Sequence, residues 1–477
     1  MSSLKLNPYK INSITKNKTN KIESFISRIF HNNGKTESSQ NKIILFGTFL
    51  LIALGLYSFS VFHNDFEQFN ANRMGTLGAF FGFAGLIMLT YKGIMFLYIA
   101  FNYYKYKAIE SVSDRELPTC TVIVPAYNEG KQVWDTLMSL EKSDYPKNKI
   151  QIIAIDDGSL DDTWNWILDA KNKLGNRLEI FKQPENKGKR HALYHGFNVG
   201  TGEVFVTVDS DSIVNTDTIR HLVSPFIIDK NCGAVAGNIR VLNNKKAMLP
   251  KMLDVSFVLS FEFVRSAESN LNSVLCTPGA LAAYQSTAVQ NCLPQWINQT
   301  FMGQPSDIGE DRAMTNMILK QGKHVLFQKN AVAYTNVPEE YPGLYKMFIR
   351  WGRSNVRESI EMAKYVFTDF RTESKFGIRS LFISQFLKIV MSYPLVMFML
   401  FFVLIHPLLF LGSTLLSILI FSTFSVLFFT NSYKSSEGFW AYSYSILYTF
   451  GLFWITPYAI ATANRRGWLT RGLAEKK

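Results

Sequence analysis

The stretch "EVFVTVDSDSIV", Glu203 to Val214, decides how the rest of the chain is read. It begins as an apolar, strand-like run and ends in two aspartates, Asp209 and Asp211, with only Ser210 between them. Side chains two apart on an extended chain point to one face. Two carboxylates held that way repel one another unless a positive charge sits between them. The pair is therefore either an acidic turn, with Asp211 or Ser212 capping a helix, or a cation site. Oxygen ligands on a short rigid stretch suit Mg2+ or Mn2+, which join protein carboxylates to phosphate oxygens.

Two earlier runs end in the same manner. "CTVIVPAYNEG" closes on Tyr127, Asn128 and Glu129, and "IQIIAIDDGS" closes on Asp156, Asp157 and a turn-forming Gly158. Helix-like stretches, "KQVWDTLMSLEK" and "DTWNWILDAKNKL", separate them. Strands alternating with helices predict an α/β domain with a mostly parallel sheet. In such sheets ligands bind beyond the carboxyl ends of the strands, where all these polar residues fall. Between the second and third runs, "NKGKRHAL" sets Lys187, Lys189 and Arg190 beside Gly188, a composition suited to anionic or nucleotide groups. Each motif alone reads as a turn or a solvated face. In this order and spacing they are hard to obtain by chance.

Composition places this domain in a membrane setting. Of 477 residues, 47% are hydrophobic and 39 are phenylalanine, yet 18% are charged, too many for a pure bundle of spans. Residues 1–42 form a polar, basic arm expected in the cytosol, and residues 43–104 carry two apolar runs long enough to be transmembrane helices. Residues 105–345 are the expected cytosolic α/β domain, and 346–379 mix apolar and basic residues as amphipathic interface helices do. Apolar runs return over 380–462, and a basic tail, 463–477, follows. Three full crossings there would put that tail outside, against the preference of Lys and Arg for the inner side, so one of these runs is expected to break. The net charge of +13 fits lysines and arginines flanking spans and facing anionic headgroups; nucleic acid is not an expected partner. Four cysteines without paired spacing argue against disulfides, and seven histidines without an HExxH pattern argue against zinc.

The set of motifs resembles the family 2 glycosyltransferases. The likeness continues in "DIGEDRAMTNMIL", where Glu310, Asp311 and Arg312 resemble the family's acidic ED motif. Arg350 and Trp351 resemble the last two positions of QxxRW, the mark of processive members, with Met347 where glutamine is expected. "FEFVRSAESNLNSVLCTPGALAAY", with Cys276 before its Pro-Gly turn, is similar to the acceptor region of hyaluronan synthases and nodulation-type chitooligosaccharide synthases. "RWGRSNVRES" and the terminal "WLTRG" are similar to the former.

The resemblance implies a GT-A glycosyltransferase domain embedded between N-terminal and C-terminal transmembrane helices of a multi-pass plasma (inner) membrane protein. Its implied partners are a UDP-sugar donor, UDP-GlcNAc foremost, a growing polysaccharide acceptor and the bilayer. Asp209 and Asp211 would hold Mg2+ or Mn2+ on the diphosphate. Tyr127, Glu129 and Asp157 would line the donor site, with Lys189 near the uridine. Asp311 would be the general base, its proton affinity raised by Glu310. Arg350 would pair with the diphosphate, and Trp351 would stack on the acceptor beside Cys276 and Arg312. Other readings are a chitin-like synthase using UDP-GlcNAc alone, a single-transfer enzyme acting on a lipid phosphate, and a non-catalytic nucleotide-sugar-binding membrane protein.

Overall fold

A computed structural model describes residues 46–57, 60–61 and 75–467. The basic arm and the "WLTRG" stretch lie outside the described residues. The central domain is built on ten strands: β1 (Cys120–Ala126), β2 (Ile150–Asp156), β3 (Leu178–Lys182), β4 (Val204–Val208), β5 (Ser212–Val214), β6 (Cys232–Val241), β7 (Leu281–Gln285), β8 (Thr300–Phe301), β9 (Gln304–Pro305) and β10 (His324–Thr335). Eight of them form one sheet in the order β3-β2-β1-β4-β7-β6-β10-β5, while β8 and β9 make a small hairpin.

The half of the sheet from β3 to β4 is parallel throughout, and β6 runs parallel to β10. β7 enters antiparallel between β4 and β6, and β5 pairs antiparallel with β10. The sheet is thus mixed, with its parallel half carrying the motifs. β1 and β4 are buried along their whole length because helices cover both faces, which is why they read as continuous apolar runs without alternation. Val122, Val124, Val206 and Val208 face one core, and Ile123, Ile153, Ile155 and Phe205 face the other. The chain reverses its direction of winding between β1 and β4, so the crevice for a ligand opens at their carboxyl ends. The register Ala126↔Asp156 brings the ends of β1 and β2 level, and the Asp157 N–H donates to the Ala126 carbonyl at 2.8 Å.

Two helices among the described residues are long and apolar enough to cross a membrane, Gly85–Lys105 and Pro407–Tyr433. Phe376–Val390 and Ser392–Ile405 together make a third candidate, bent by 46° at their junction. Pro394 lies in the first turn of the second piece, where its missing N–H costs no helical bond. The last apolar run is divided: Ser436–Phe439, Trp440–Ile446, Leu447–Gly451 and Ile455–Ala461 are four short segments. The run expected from Ile43 to Phe62 contains a described helix of only Phe46–Tyr57. Leu97, Leu404 and Phe421 are mostly exposed, as lipid-facing side chains are.

Polar contacts seat these helices on the α/β domain. The Tyr106 hydroxyl, just past Lys105, donates to the Phe327 carbonyl at 2.9 Å and accepts from the Lys329 N–H. At the end of Pro407–Tyr433, the Tyr433 hydroxyl donates to the buried Glu262 carboxylate, which also pairs with Lys329 at 2.5 Å. The helix Tyr341–Ala363, whose face mixes apolar and charged residues, packs against Ile455–Ala461 and the helix Glu310–Lys320. Its buried side includes Leu344, Met347, Arg353, Arg357 and Glu358.

Gly158 shapes the crevice. Its φ is +71°, and a Cβ there would lie 2.6 Å from the backbone carbon of Glu185. Only a glycine lets the loop before Lys187 cross so close to the end of β2. Gly158→Ala is expected to destabilise the detergent-solubilised protein by on the order of 2–4 kcal/mol, read as a lower melting temperature. An unchanged melting temperature would contradict this close crossing.

Candidate active site

The carboxyl end of β4 is a tightly held turn. The Ser212 N–H donates to the Asp209 carbonyl at 3.0 Å, and the Thr136 hydroxyl donates to the Ser210 carbonyl at 2.9 Å. The Ser210 hydroxyl donates to Glu129 at 3.2 Å, tying β4 to the end of β1. Thr335 on β10 donates to Asp211 at 3.3 Å. With the backbone fixed on both sides, the two aspartates keep their spacing whatever binds.

The basic loop is positioned by Asp157. Its carboxylate accepts the Lys187 N–H at 3.2 Å and the Gly188 N–H at 2.8 Å. Helix Lys189–Val199 starts at the next residue. Consequently the Lys189 ammonium reaches across to pair with Asp209 and lies 3.3 Å from Glu310. Lys189, expected near the uridine, thus has its ammonium on Asp209 and Glu310. Arg190, from the same motif, turns the other way into the core, donating to the Trp296 carbonyl at 2.5 Å and to Gln299 at 3.0 Å.

Glu310 and Asp311 open the helix Glu310–Lys320. The Trp296 indole donates to the Glu310 carbonyl at 2.9 Å, and the Gly279 N–H donates to the Asp311 carboxylate at 3.0 Å. The turn bearing Gly279 is fixed in turn by Thr277, whose hydroxyl meets Tyr284 and Thr315 at 2.9 and 2.8 Å. A Cβ on Gly279 would stand 2.6 Å from Lys189 Nζ, 3.6 Å from Asp311 Oδ2 and 3.8 Å from Asp209 Oδ1. Gly279 is therefore packed against all three groups, and a side chain there would collide with the ammonium.

Electrostatics follow from this packing. Burial and then the neighbouring Glu310 raise the Asp311 carboxyl above its ordinary value, against the pull of Lys189 and Arg312. Burial opposes the charge on Lys189, but Asp209 and Glu310 more than offset it and hold the ammonium above its usual range. Burial also pushes the Cys276 thiol up to about 11, so it is a neutral thiol at neutral pH. Arg312 and Asp311 both act on that thiol, and Arg312 donates to Gln385 at 3.3 Å.

The fold thus brings together Lys189, Asp209, Glu310 and Asp311, with Cys276 and Arg312 at one border. Tyr127, Glu129, Asp157 and Asp211 lie along the adjoining strand ends. Arg350 and Trp351 sit on Tyr341–Ala363. Trp351, 39% exposed, meets Phe348 and Phe257 at ring distances of 5.5 and 6.2 Å, an aromatic wall. Met347, at the expected glutamine's place, is buried in the apolar core.

Two features escaped the sequence reading. One is Gly279, whose role depends on residues far away in the chain. The other is the charged underside of the Tyr341–Ala363 helix. Arg357 donates to the carbonyls of Ala463 and Arg465 at 2.5 and 2.7 Å, Arg353 donates to Thr462 at 3.0 Å, and Glu358 accepts from Gln299 and Asn316. The spacing 350, 353, 357 marks one helical face and was the available signal.

Among the described residues no group of three or more His, Cys, Asp or Glu side chains forms a closed metal cage. The donor set still fits a divalent cation. Asp209 and Asp211 offer hard oxygens on a braced turn, and an ammonium already stands on Asp209 as a stand-in cation. Mg2+ and Mn2+ sites of this kind use one or two carboxylates and take further ligands from phosphate and water.

Comparison with known proteins agrees with this geometry. Residues 118–354 match the model described as "Glycosyltransferase like family 2". An N-acetylglucosaminyltransferase of Rhizobium meliloti is 32% identical over 275 residues, 57% of this chain and 64% of that protein. A hyaluronan synthase of Streptococcus pyogenes serotype M3 is 30% identical over 299 residues, 60% of this chain and 68% of that protein. The chain spans 57–64% of the length of the three N-acetylglucosaminyltransferases it matches first. A mannosyltransferase from Pyrobaculum calidifontis, solved with GDP-Man and Mn2+, shares the fold at a TM-score of 0.53 and 21% identity, covering 80% of this chain and 96% of that one. The chain belongs to the family 2 glycosyltransferases. It is a GT-A-type enzyme flanked by candidate membrane-spanning helices.

Asp157 supplies a pH test of the loop anchor. Burial raises its carboxyl to about 6, the two N–H donors acting against the shift. The folded state then holds a proton that the unfolded chain releases near pH 4, so stability falls as pH rises from about 4 to about 6. Asp157→Asn is expected to remove this slope, a differential of on the order of 2–3 kcal/mol between the two proteins across that window. Parallel melting curves at pH 4 and pH 7 would refute the assignment.

Proposed function

We propose that this chain is a membrane-embedded, inverting, processive β-glycosyltransferase that polymerises sugars from UDP-activated donors. UDP-GlcNAc is the proposed donor, alternating with UDP-GlcA to give a hyaluronan-like polymer. The observation that carries this reading is the convergence of Asp311, Lys189 and Asp209 on Gly279 at the carboxyl edge of the parallel strands. A base, a cation and a metal-binding carboxylate meet where an anomeric carbon, its leaving diphosphate and an acceptor hydroxyl would have to meet.

In this reading Asp209 and Asp211 hold Mn2+ or Mg2+, which when bound neutralises charge developing on the departing diphosphate. Tyr127, Glu129 and Asp157 shape the donor pocket at the ends of β1 and β2. The acceptor hydroxyl attacks the anomeric carbon from the face opposite the diphosphate. The C–O bond to phosphate breaks, and the hydroxyl proton passes to Asp311. Its raised proton affinity suits that task, and the Gly279 N–H keeps the carboxylate aimed. Arg350 pairs with the diphosphate, and Trp351 offers an indole face to the acceptor sugar, beside Cys276 and Arg312. The helices seated on the domain through Tyr106 and Tyr433 give the growing chain a route across the plasma membrane from a cytosolic catalytic domain.

A second reading is supported by the likeness to the N-acetylglucosaminyltransferases: a chitin-like oligomer or polymer from UDP-GlcNAc alone. Incubating the purified protein with each UDP-sugar singly and in pairs separates the two. Polymer formed only with UDP-GlcNAc and UDP-GlcA together is the expected result; polymer from UDP-GlcNAc alone selects the second reading.

Asp311→Asn is expected to lower turnover by about 10²–10⁴-fold while UDP binding, measured by calorimetry, stays within a few-fold of the parent. Retained turnover would exclude Asp311 as the base.

A further inference from the structure

Lys189 is paired with one of the two carboxylates that a divalent cation would also use. Its ammonium pairs with Asp209 on one side and stands 3.3 Å from Glu310 on the other. The lysine and Glu310 side chains are only 14% and 5% exposed, so water screens that contact weakly, while Asp209, 29% exposed, is open to more screening. An ammonium and a divalent cation cannot both sit against the same carboxylate oxygen, because like charges at that separation repel by several kcal/mol in a poorly hydrated site. Glu310 gives the displaced ammonium somewhere to go. A lysine stem turns about four carbon–carbon bonds, and moving Nζ from Asp209 to Glu310 needs no backbone shift, since both carboxylates are already within its reach. Gly279 packs against the ammonium, and a side chain there would crowd it.

We propose that Lys189 is a positioning residue that holds Asp209 as an internal counter-ion in the free enzyme and transfers its contact to Glu310 when the divalent cation binds. This rests on the reading of Asp209 and Asp211 as the cation pair. Two consequences follow from the competition. The free enzyme binds the cation weakly. Binding strengthens once a diphosphate is present, because the phosphate oxygens add ligands to the cation and a second acceptor for the ammonium. Cation and donor diphosphate then bind as a coupled pair.

The test is Mn2+ binding to the full-length protein in detergent, followed by electron paramagnetic resonance without any sugar donor. Lys189→Met and Lys189→Gln both remove the competing charge, so either one that folds serves. Each is expected to bind Mn2+ at least about fivefold more tightly than the parent while turning over more slowly. Lys189→Arg, which keeps the charge, is expected to bind like the parent. A merely structural lysine would move affinity and turnover down together. Equal or weaker Mn2+ binding in the charge-removing variants overturns the proposal and leaves the cation pair standing. If the parent and all variants fail to bind Mn2+ even with UDP added, the cation reading of Asp209 and Asp211 falls, and this inference with it.

Discussion

The Lys189 ammonium joins parts of the chain that have no other reason to meet. Asp209 ends a central strand and Glu310 starts a helix about a hundred residues later. Lys189 itself begins a helix whose position depends on Asp157 gripping the preceding loop. Two carboxylates brought this near one another repel. The lysine between them offsets that repulsion and holds them together. The raised proton affinity of Asp311, one residue further on, is set by the same crowding. The shared cation draws the strand end and the helix start together.

Around that contact the fold is arranged to resist collapse. Trp296 is fully buried and anchors Glu310 from below, while Arg190 secures the Trp296 carbonyl. Thr277, Tyr284 and Thr315 form a hydroxyl chain that fixes the Gly279 turn above. The hydroxyls of that chain satisfy one another, and satisfied buried networks hold geometry better than apolar packing alone. The membrane-facing helices are joined to the same body through Tyr106 on β10 and through Tyr433 with Glu262, so a shift in either helix is felt by strands that flank the site.

Much of this was legible beforehand. The strand-end motifs at 127–129, 156–158 and 209–211 lie at one sheet edge because continuous apolar runs followed by polar residues have few other places to go in an α/β fold. The Glu310–Asp311 pair and the membrane-spanning candidates were readable for similar local reasons. Register, the antiparallel insertion of β7 and the partner of each charge were not, because they depend on contacts between residues far apart in the chain. Lys189 and Arg190 illustrate the difference. They are adjacent in one basic motif, yet one faces the site and the other is buried against Trp296. Met347, in a motif position expected to be polar, is part of the core.

The amino-acid sequence by itself determined the fold class, the family and the inventory of chemical groups. Hydrophobic periodicity and strand-end polarity are local properties that a linear pattern records. Tertiary structure alone decided which carboxylate receives the lysine, which glycine packs against the site, and which arginines hold the C-terminal segment. Those outcomes depend on distances of a few ångströms between segments tens to hundreds of residues apart, and Coulomb energies and hydrogen bonds change over that same length.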